Sequence, residues 1–341
     1  MSSASMPVPS PQDQLVMMAL GFAMPCMLRV AAQLSLADQL ADGPKSAEEL
    51  AAATSTHAHS LYRLLRTLAC HGIFIEDDAK HFANTPLSEP LRSNIPGSVR
   101  STILTFTGEI GLGAWWKLLY SVQTGKPSFD LQFGLPIFDY LTANPDQASM
   151  FTETMIGIHG PETPAVAAAY DFKAFAHIAD IGGASGKLLT SALASAPDSR
   201  GTLFDLPHNE ANALAFVAAK GMSDRVEFVG GSFFESVPAG ADLYMMSHII
   251  HDWTEEQCLT ILANCHRAMP DHARLLIIEM VLAEGNAFHF GKVSDIMMLA
   301  VPGGEERTES QYAELLAKAN FKLTRVIPTD SNMSIVEAVK A

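Results

Sequence analysis

Positive charge is scarce in this sequence. Its 341 residues carry 22 Lys and Arg against 37 Asp and Glu, a formal net charge of −15. A chain this acidic repels a phosphate backbone, which argues against non-specific nucleic-acid binding. Charge of either sign makes up only 17% of the residues and hydrophobic side chains 48%, the balance of a core-forming chain rather than a disordered one. Cysteine is rare too. Cys26, Cys70, Cys258 and Cys265 form no CxxC pair and no Cys/His metal spacing, so they read as reduced thiols of a cytoplasmic protein, and no metal centre is expected. No basic segment stands ahead of an apolar run, so no secretory signal is expected. The apolar stretch over 15–28 contains Gly21 and Pro25 and falls short of the roughly 20 apolar residues that a spanning helix needs. No membrane partner is expected. What the chain does have is methionine, 16 of them, suited either to filling a core or to lining an adaptable apolar pocket.

At roughly 100–200 residues per domain, the length suggests two domains. Residues 1–12 read as a mobile tail. Residues 13–100 read as a winged helix. Its first helical part, over 13–41, puts Leu34, Ala37, Leu40 and Ala41 on one face; Ser46 and Glu49 then form a capping box. A further helix carries Leu61, Leu64, Leu65 and Leu68 and ends at Gly72, and a hairpin turns at Asp77–Lys80. The basic residues Arg63 and Arg66 sit among Asp38, Asp42, Glu48, Glu49, Glu76, Asp77 and Asp78, so no DNA-reading face emerges. A pairing surface between two subunits explains the apolar helices better. Residues 101–170 read as a helical linker rich in aromatic residues, among them Trp115, Trp116, Phe129, Phe133 and Phe138. From 171 to 341 short β-rich runs alternate with helices, the grammar of an α/β domain with a parallel sheet. The last two runs are joined only by Asp330–Asn332. They must form a hairpin, and an antiparallel edge strand is expected.

Two features suggest a cofactor. The loop Asp180-Ile181-Gly182-Gly183-Ala184-Ser185-Gly186 follows a strand and opens a helix, so its glycines let backbone approach a ligand. A dinucleotide fingerprint would need a first glycine where Ile181 stands. The carboxylate of Asp180 suits an ammonium better than a pyrophosphate, which favours S-adenosylmethionine. A plain tight turn would also use these glycines. Asp205 ends the next strand, where an acid can accept ribose hydroxyls or cap a turn, and Leu206 follows it. Further on, a strand ends in His248-Ile249-Ile250-His251-Asp252-Trp253. Ligands bind at the carboxyl ends of such strands, and a histidine there can take a proton at neutral pH. His251 ranks ahead of His248 for that task. Asp252 reads as a cap for the helix opened by Thr254.

The strings DIGGASG, GTLFDLP, GGSFFESVPAGADLY, HDWTEEQC, LLIIE and PGGEERT, in this order, resemble those of the class I S-adenosylmethionine-dependent O-methyltransferases of small molecules. These include the caffeic acid and hydroxyindole types and bacterial natural-product tailoring enzymes. SAEELAAAT and SLYRLLRTLACHGIF extend the similarity over nearly the whole chain.

The resemblance implies a Rossmann-like class I methyltransferase sheet with a terminal antiparallel hairpin, plus an α-helical N-terminal winged-helix dimerisation domain. It implies a homodimer. It implies methylation of a hydroxyl on a small aromatic acceptor by S-adenosylmethionine, with S-adenosylhomocysteine as product. His251 takes the place of the general base, flanked by Glu279 and Glu306. Asp180, Gly182, Gly183, Gly186, Asp205, Leu206, Ser232, Phe233 and Ser247 fall on cofactor positions. Phe151, Met155, Met297 and Met298 fall on walls of the acceptor pocket. Ser232 departs from a common aspartate that meets the adenine amine, and Ser247 from a lysine in plant members. Two alternatives stand beside this reading: a relative that keeps the cofactor for decarboxylation, hydroxylation or a pericyclic step, and a winged-helix regulator that senses a ligand. The intact His251, Glu279 and Glu306 argue against the first, and the acidic charge with the complete HDW site against the second.

Overall fold

The computed structural model describes residues 9–159 and 162–341. The chain divides into two compact units, one of Met1–Gly113 with Leu141–Ile158, the other of Ala114–Tyr140 with His159–Ala341. Most of the tail expected over 1–12 lies outside the described residues, and Ser10 already caps a helix in a reciprocal box with Asp13.

In the first unit the helices Pro11–Ala19 and Ala23–Gln33 are joined by the 3₁₀ turn Leu20–Phe22. Pro25 does not break this run, because it falls in the first turn of its segment, where its missing N–H would have no intrahelical partner. The outcome corrects the expectation from sequence. Pro11–Gln33 is one helical run of 23 residues whose most apolar 18-residue window has mean hydropathy 1.9, enough by length and composition alone to cross a membrane. Only 11% of its most apolar window is buried, and Leu15, Val16, Met17, Met18, Leu20 and Phe22 are exposed.

The wing then forms as the pattern suggested. Strand β1 (Lys45–Ser46) leads into the helix Ala47–Thr54, which the Ser46/Glu49 box opens. The helix Ala58–Cys70 buries Leu61, Leu65 and Leu68. Strands β2 (Phe74–Glu76) and β3 (His81–Asn84) follow, and the antiparallel order is β1-β3-β2. Asp77 Oδ1 accepts the N–H groups of Ala79 and His81 and so fixes the turn between β2 and β3. Leu36, Leu50, Leu65, Leu68, Phe74 and Phe82 form the core of this unit.

The second unit is built on β4 (His177–Ile181), β5 (Arg200–Asp205), β6 (Val226–Gly230), β7 (Leu243–Ser247), β8 (Arg274–Glu279), β9 (Val281–Leu282), β10 (Arg307–Thr308), β11 (Phe321–Pro328) and β12 (Ser334–Lys340). Strands β9 and β10 form a small parallel pair. The other seven form one sheet in the order β11-β12-β8-β7-β4-β5-β6. The hairpin is present, but the antiparallel strand is not at the edge. β12 runs antiparallel to both of its neighbours and lies between β8 and β11, which leaves the edge strand β11 parallel to the rest. A short link fixes which strands pair; it does not say which of them meets the older sheet.

Both faces of this sheet are covered. The helices Glu255–Ala268 and Glu309–Lys318 bury Ile261, Leu262, Tyr312 and Leu316 against one face. The helices Lys187–Ser195 and Glu210–Ala219 bury Leu189, Leu193 and Val217 against the other. This is why LLII in β8 and LYMM in β7 are continuous apolar runs, not alternating ones. Parallel strands end together, so Ile181, Asp205, Ser247 and Glu279 lie along one edge of the sheet.

Candidate active site

The cofactor loop is shaped by close packing. Gly182 has φ +72°, and a Cβ there would meet Ile249 Cδ1 at 2.5 Å. A Cβ on Gly183 would lie 2.6 Å from the Asp180 carboxyl group. Gly186, at φ +78°, stands at the N-cap of the helix Lys187–Ser195 with no side chain to satisfy the first N–H groups. Asp180 is buried, and its Oδ2 has no hydrogen-bond partner among the described residues. Burial, helped by the nearby Asp205 carboxylate, pushes its pKa up to about 7. Asp205 Oδ2 accepts the N–H of Ala184 at 2.7 Å, and its Oδ1 accepts from Leu206 N–H and Asn209 Nδ2. Asp205 therefore holds the glycine loop from the end of the neighbouring strand β5. A carboxylate has about four acceptor positions, so one stays open for a hydroxyl.

The remaining cofactor candidates lie on the same unit. Ser232 Oγ accepts the N–H of Phe234, and Phe233 packs edge-on against Phe234 and Trp253. Ser247 closes β7 opposite Ile278, and Leu206 is exposed. An orphaned buried carboxylate, a cradle without Cβ atoms and an acid at the second strand end fit S-adenosylmethionine.

His251 sits in the 3₁₀ turn Ile250–Asp252 that follows β7. His248 takes a left-handed backbone, φ +56°, and so turns the chain off the strand. Glu279 Oε1 then accepts the N–H groups of Ile249 and His251, while Tyr312 donates its hydroxyl to Oε2. Glu279 thus fixes the backbone of the turn and makes no hydrogen bond to the imidazole. Glu306 Oε1 does, at 3.1 Å from His251 Nδ1, and it also accepts from Ser294 Oγ at 2.8 Å. Its backbone N–H bonds Asp295. The loop that carries Glu306 rests directly on the histidine turn: Glu305 N–H bonds the His251 carbonyl, and a Cβ on Gly304 would lie 1.9 Å from that oxygen.

Asp252 departs from the expectation. Thr254 caps its helix alone, in a box with Gln257, and Asp252 Oδ1 lies 3.7 Å from His251 Nε2 instead. His251 is nearly buried, and burial opposes its charge. Asp252, Glu306 and Glu279 outweigh that and push its pKa up to about 10. Of the acceptor candidates, Met297 and Met298 share the helix Phe290–Ala300 with Ser294. Phe151 and Met155 lie in the helix Pro145–His159 and belong to the first unit. Within the second unit, Phe138 stacks on Trp253 at 5.7 Å.

Sequence reading did not single out Tyr312, Ser294, Asp295 or Gly304 as parts of the site. No spacing marks the first three, which reach the site only through the fold. The Gly303-Gly304 pair was the one available signal, since paired glycines often mark a close backbone approach.

The chain matches the O-methyltransferase domain family over residues 115–322 and the O-methyltransferase dimerisation domain family over 16–94. It is 44% identical to the phenazine O-methyltransferase PhzM of Lysobacter antibioticus over 324 residues, 95% of each chain. The solved structure of the mitomycin 7-O-methyltransferase MmcR superposes with a TM-score of 0.90 at 34% identity, covering 97% of this chain and 98% of that one. The structure of NcsB1 from neocarzinostatin biosynthesis, in complex with S-adenosylmethionine and 2-hydroxy-5-methyl naphthoic acid, superposes with a TM-score of 0.82 at 33% identity, covering 94% and 96%. The second unit with its glycine cradle, the pairing domain ahead of it and these matches over nearly the full length lead to one conclusion: the chain belongs to the S-adenosylmethionine-dependent O-methyltransferases, and it works as a homodimer.

Proposed function

We propose that the chain methylates a phenolic hydroxyl on a flat natural-product acceptor and that His251 is the general base. The observation that carries this reading is the pairing of His251 Nδ1 with Glu306 Oε1. A neutral imidazole that donates from Nδ1 presents its lone pair at Nε2, the nitrogen a base needs. As the acceptor's proton arrives at Nε2, Glu306 and Asp252 stabilise the imidazolium. Tyr312 and Glu279 keep the turn from shifting. Asp180 and Asp205 bind the cofactor's cationic and hydroxyl groups, aided by Gly182, Gly183, Gly186, Leu206, Ser232, Phe233 and Ser247. Bound S-adenosylmethionine supplies a methyl group activated by its sulfonium. Met297 and Met298 give an apolar wall for an aromatic acceptor, and the assignment of Phe151 and Met155 to the acceptor rests on the resemblance alone.

The aromatic acceptor is supported by similar proteins, one named for methylating a phenazine and one solved with a naphthoic acid bound. A cytoplasmic location is supported by the four cysteines, all of them free. The experiment is methyl transfer to hydroxyphenazines and hydroxynaphthoates by wild type and His251→Ala. The variant is expected to lose roughly 10²–10⁴-fold in kcat, the usual contribution of a general base, while binding cofactor as before. Undiminished transfer by the variant would remove His251 from the chemistry.

A further inference from the structure

Three side chains near the reaction edge take no part in the chemistry above. His159 ends the helix Pro145–His159, Glu162 opens the helix Glu162–Ala169, and His248 turns the chain off β7. All three belong to the second unit. Glu162 Oε2 lies 2.9 Å from His159 Nδ1 and 2.8 Å from His248 Nε2, so a single oxygen serves both rings. The three donor atoms lie within 4.8 Å of one another, and the two rings are 3.8 Å apart between centroids. The side chains are half-buried, with 30%, 16% and 17% of their surfaces exposed, open enough for an ion to enter and closed enough to hold it.

We propose that His159, Glu162 and His248 form a site for a divalent transition-metal ion of the zinc type, beside the catalytic histidine. Two imidazoles and a carboxylate are the donor set of zinc centres that keep an open coordination position. Imidazole nitrogen also favours zinc, cobalt and nickel over magnesium and calcium. An ion would take the place of the protons that now link His159 Nδ1 and His248 Nε2 to Glu162 Oε2, since all three donor atoms already face one point. Two of the donors are well fixed. His248 is held by its left-handed backbone, one of the residue types that tolerates it, and Glu162 by its place in the first helical turn.

The test uses the full-length dimer, first stripped with chelator and shown to transfer methyl groups without metal. Equilibrium dialysis with zinc, and the visible absorption of the cobalt-loaded protein, report binding. The expected result is a single ion per chain, with cobalt bands that lack thiolate charge transfer. Glu162→Gln and His248→Asn each weaken binding by about 10-fold or more, as loss of a ligand should. His272→Asn, on a surface histidine paired with Asp242, leaves binding unchanged. Absence of binding, binding that survives both variants, or cobalt bands of thiolate character would overturn the site.

Discussion

Glu306→Gln keeps the shape of the side chain that meets His251 and removes its charge. Carboxylates hold the His251 pKa near 10 in the free protein, and only the neutral ring accepts a proton. Methyl transfer should therefore rise with pH through the neutral and alkaline range. In Glu306→Gln the rise should begin at lower pH and level off at a lower rate, by roughly 10-fold or more, because the imidazolium loses a stabilising partner. A pH profile of kcat/KM checks both features, and an unmoved limb would show that Glu306 is not the partner that sets it. Asp180 gives a second prediction. Its pKa of about 7 means that much of the free protein carries it neutral below neutrality. The cofactor's positive charge favours the ionised form, so cofactor affinity should strengthen from pH 6 to pH 8. In Asp180→Asn it should be weaker and nearly independent of pH; calorimetric titration at several pH values decides this. At this scale the sequence was legible where a residue sits in a motif, as His251 and Glu306 do. It misplaced Asp252, which a helix-start rule assigns to a cap, whereas Thr254 fills that role and frees Asp252 to face the imidazole. His159 and Glu162 carried no signal, since His248 lies 86 residues beyond Glu162 in the chain.

The helical run Pro11–Gln33 shows how an element can outgrow its pattern. Gly21 and Pro25 read as interruptions, yet a 3₁₀ turn carries the chain through both and leaves an apolar face bare within the subunit. The match to the family's dimerisation domain begins at residue 16, inside this run, which makes the bare face the first candidate for the subunit contact. Leu15→Asp combined with Met18→Asp should shift the protein from dimer toward monomer in sedimentation experiments, while the secondary structure of each chain stays intact. A dimer as tight as wild type would place the pairing face elsewhere. The loop 303–306 offers the opposite case, an element with no slack. Gly304→Ala puts a carbon against the His251 carbonyl, so either the turn moves or the loop lifts and takes Glu306 with it. Activity should fall by at least the 10-fold expected of Glu306→Gln, with cofactor binding much less affected. The sheet's strands were readable as continuous apolar runs. The position of β12 was not, because a hairpin between two apolar strands is equally consistent with either one at the edge.

For the molecule as a whole, acid sensitivity should trace to a few carboxylates. Burial alone would raise the pKa of Glu337, but hydrogen bonds from Arg325, Tyr170, Thr324 and Arg274 hold it at about 2. In an unfolded chain a glutamate titrates near 4.3. The folded state therefore gains stability from Glu337 at every pH above that value and loses it as the pH falls toward 2. Urea unfolding between pH 5 and pH 3 should show stability dropping with acid, and Glu337→Gln should flatten the drop while lowering stability at neutral pH. An equal slope in the variant would assign the acid sensitivity to other groups. Glu337 lies on β12, and that strand bears on how the enzyme comes into being. β12 is synthesised after every other strand of its sheet, yet it occupies an inner place, against the strand that ends in Glu279. A ribosome that has made β4 to β11 has thus made every residue that touches His251, but β8 still lacks its neighbour and Glu279 its settled frame. The active site should be assembled only after translation of β12, so a nascent chain stalled just before it would bind neither cofactor nor acceptor.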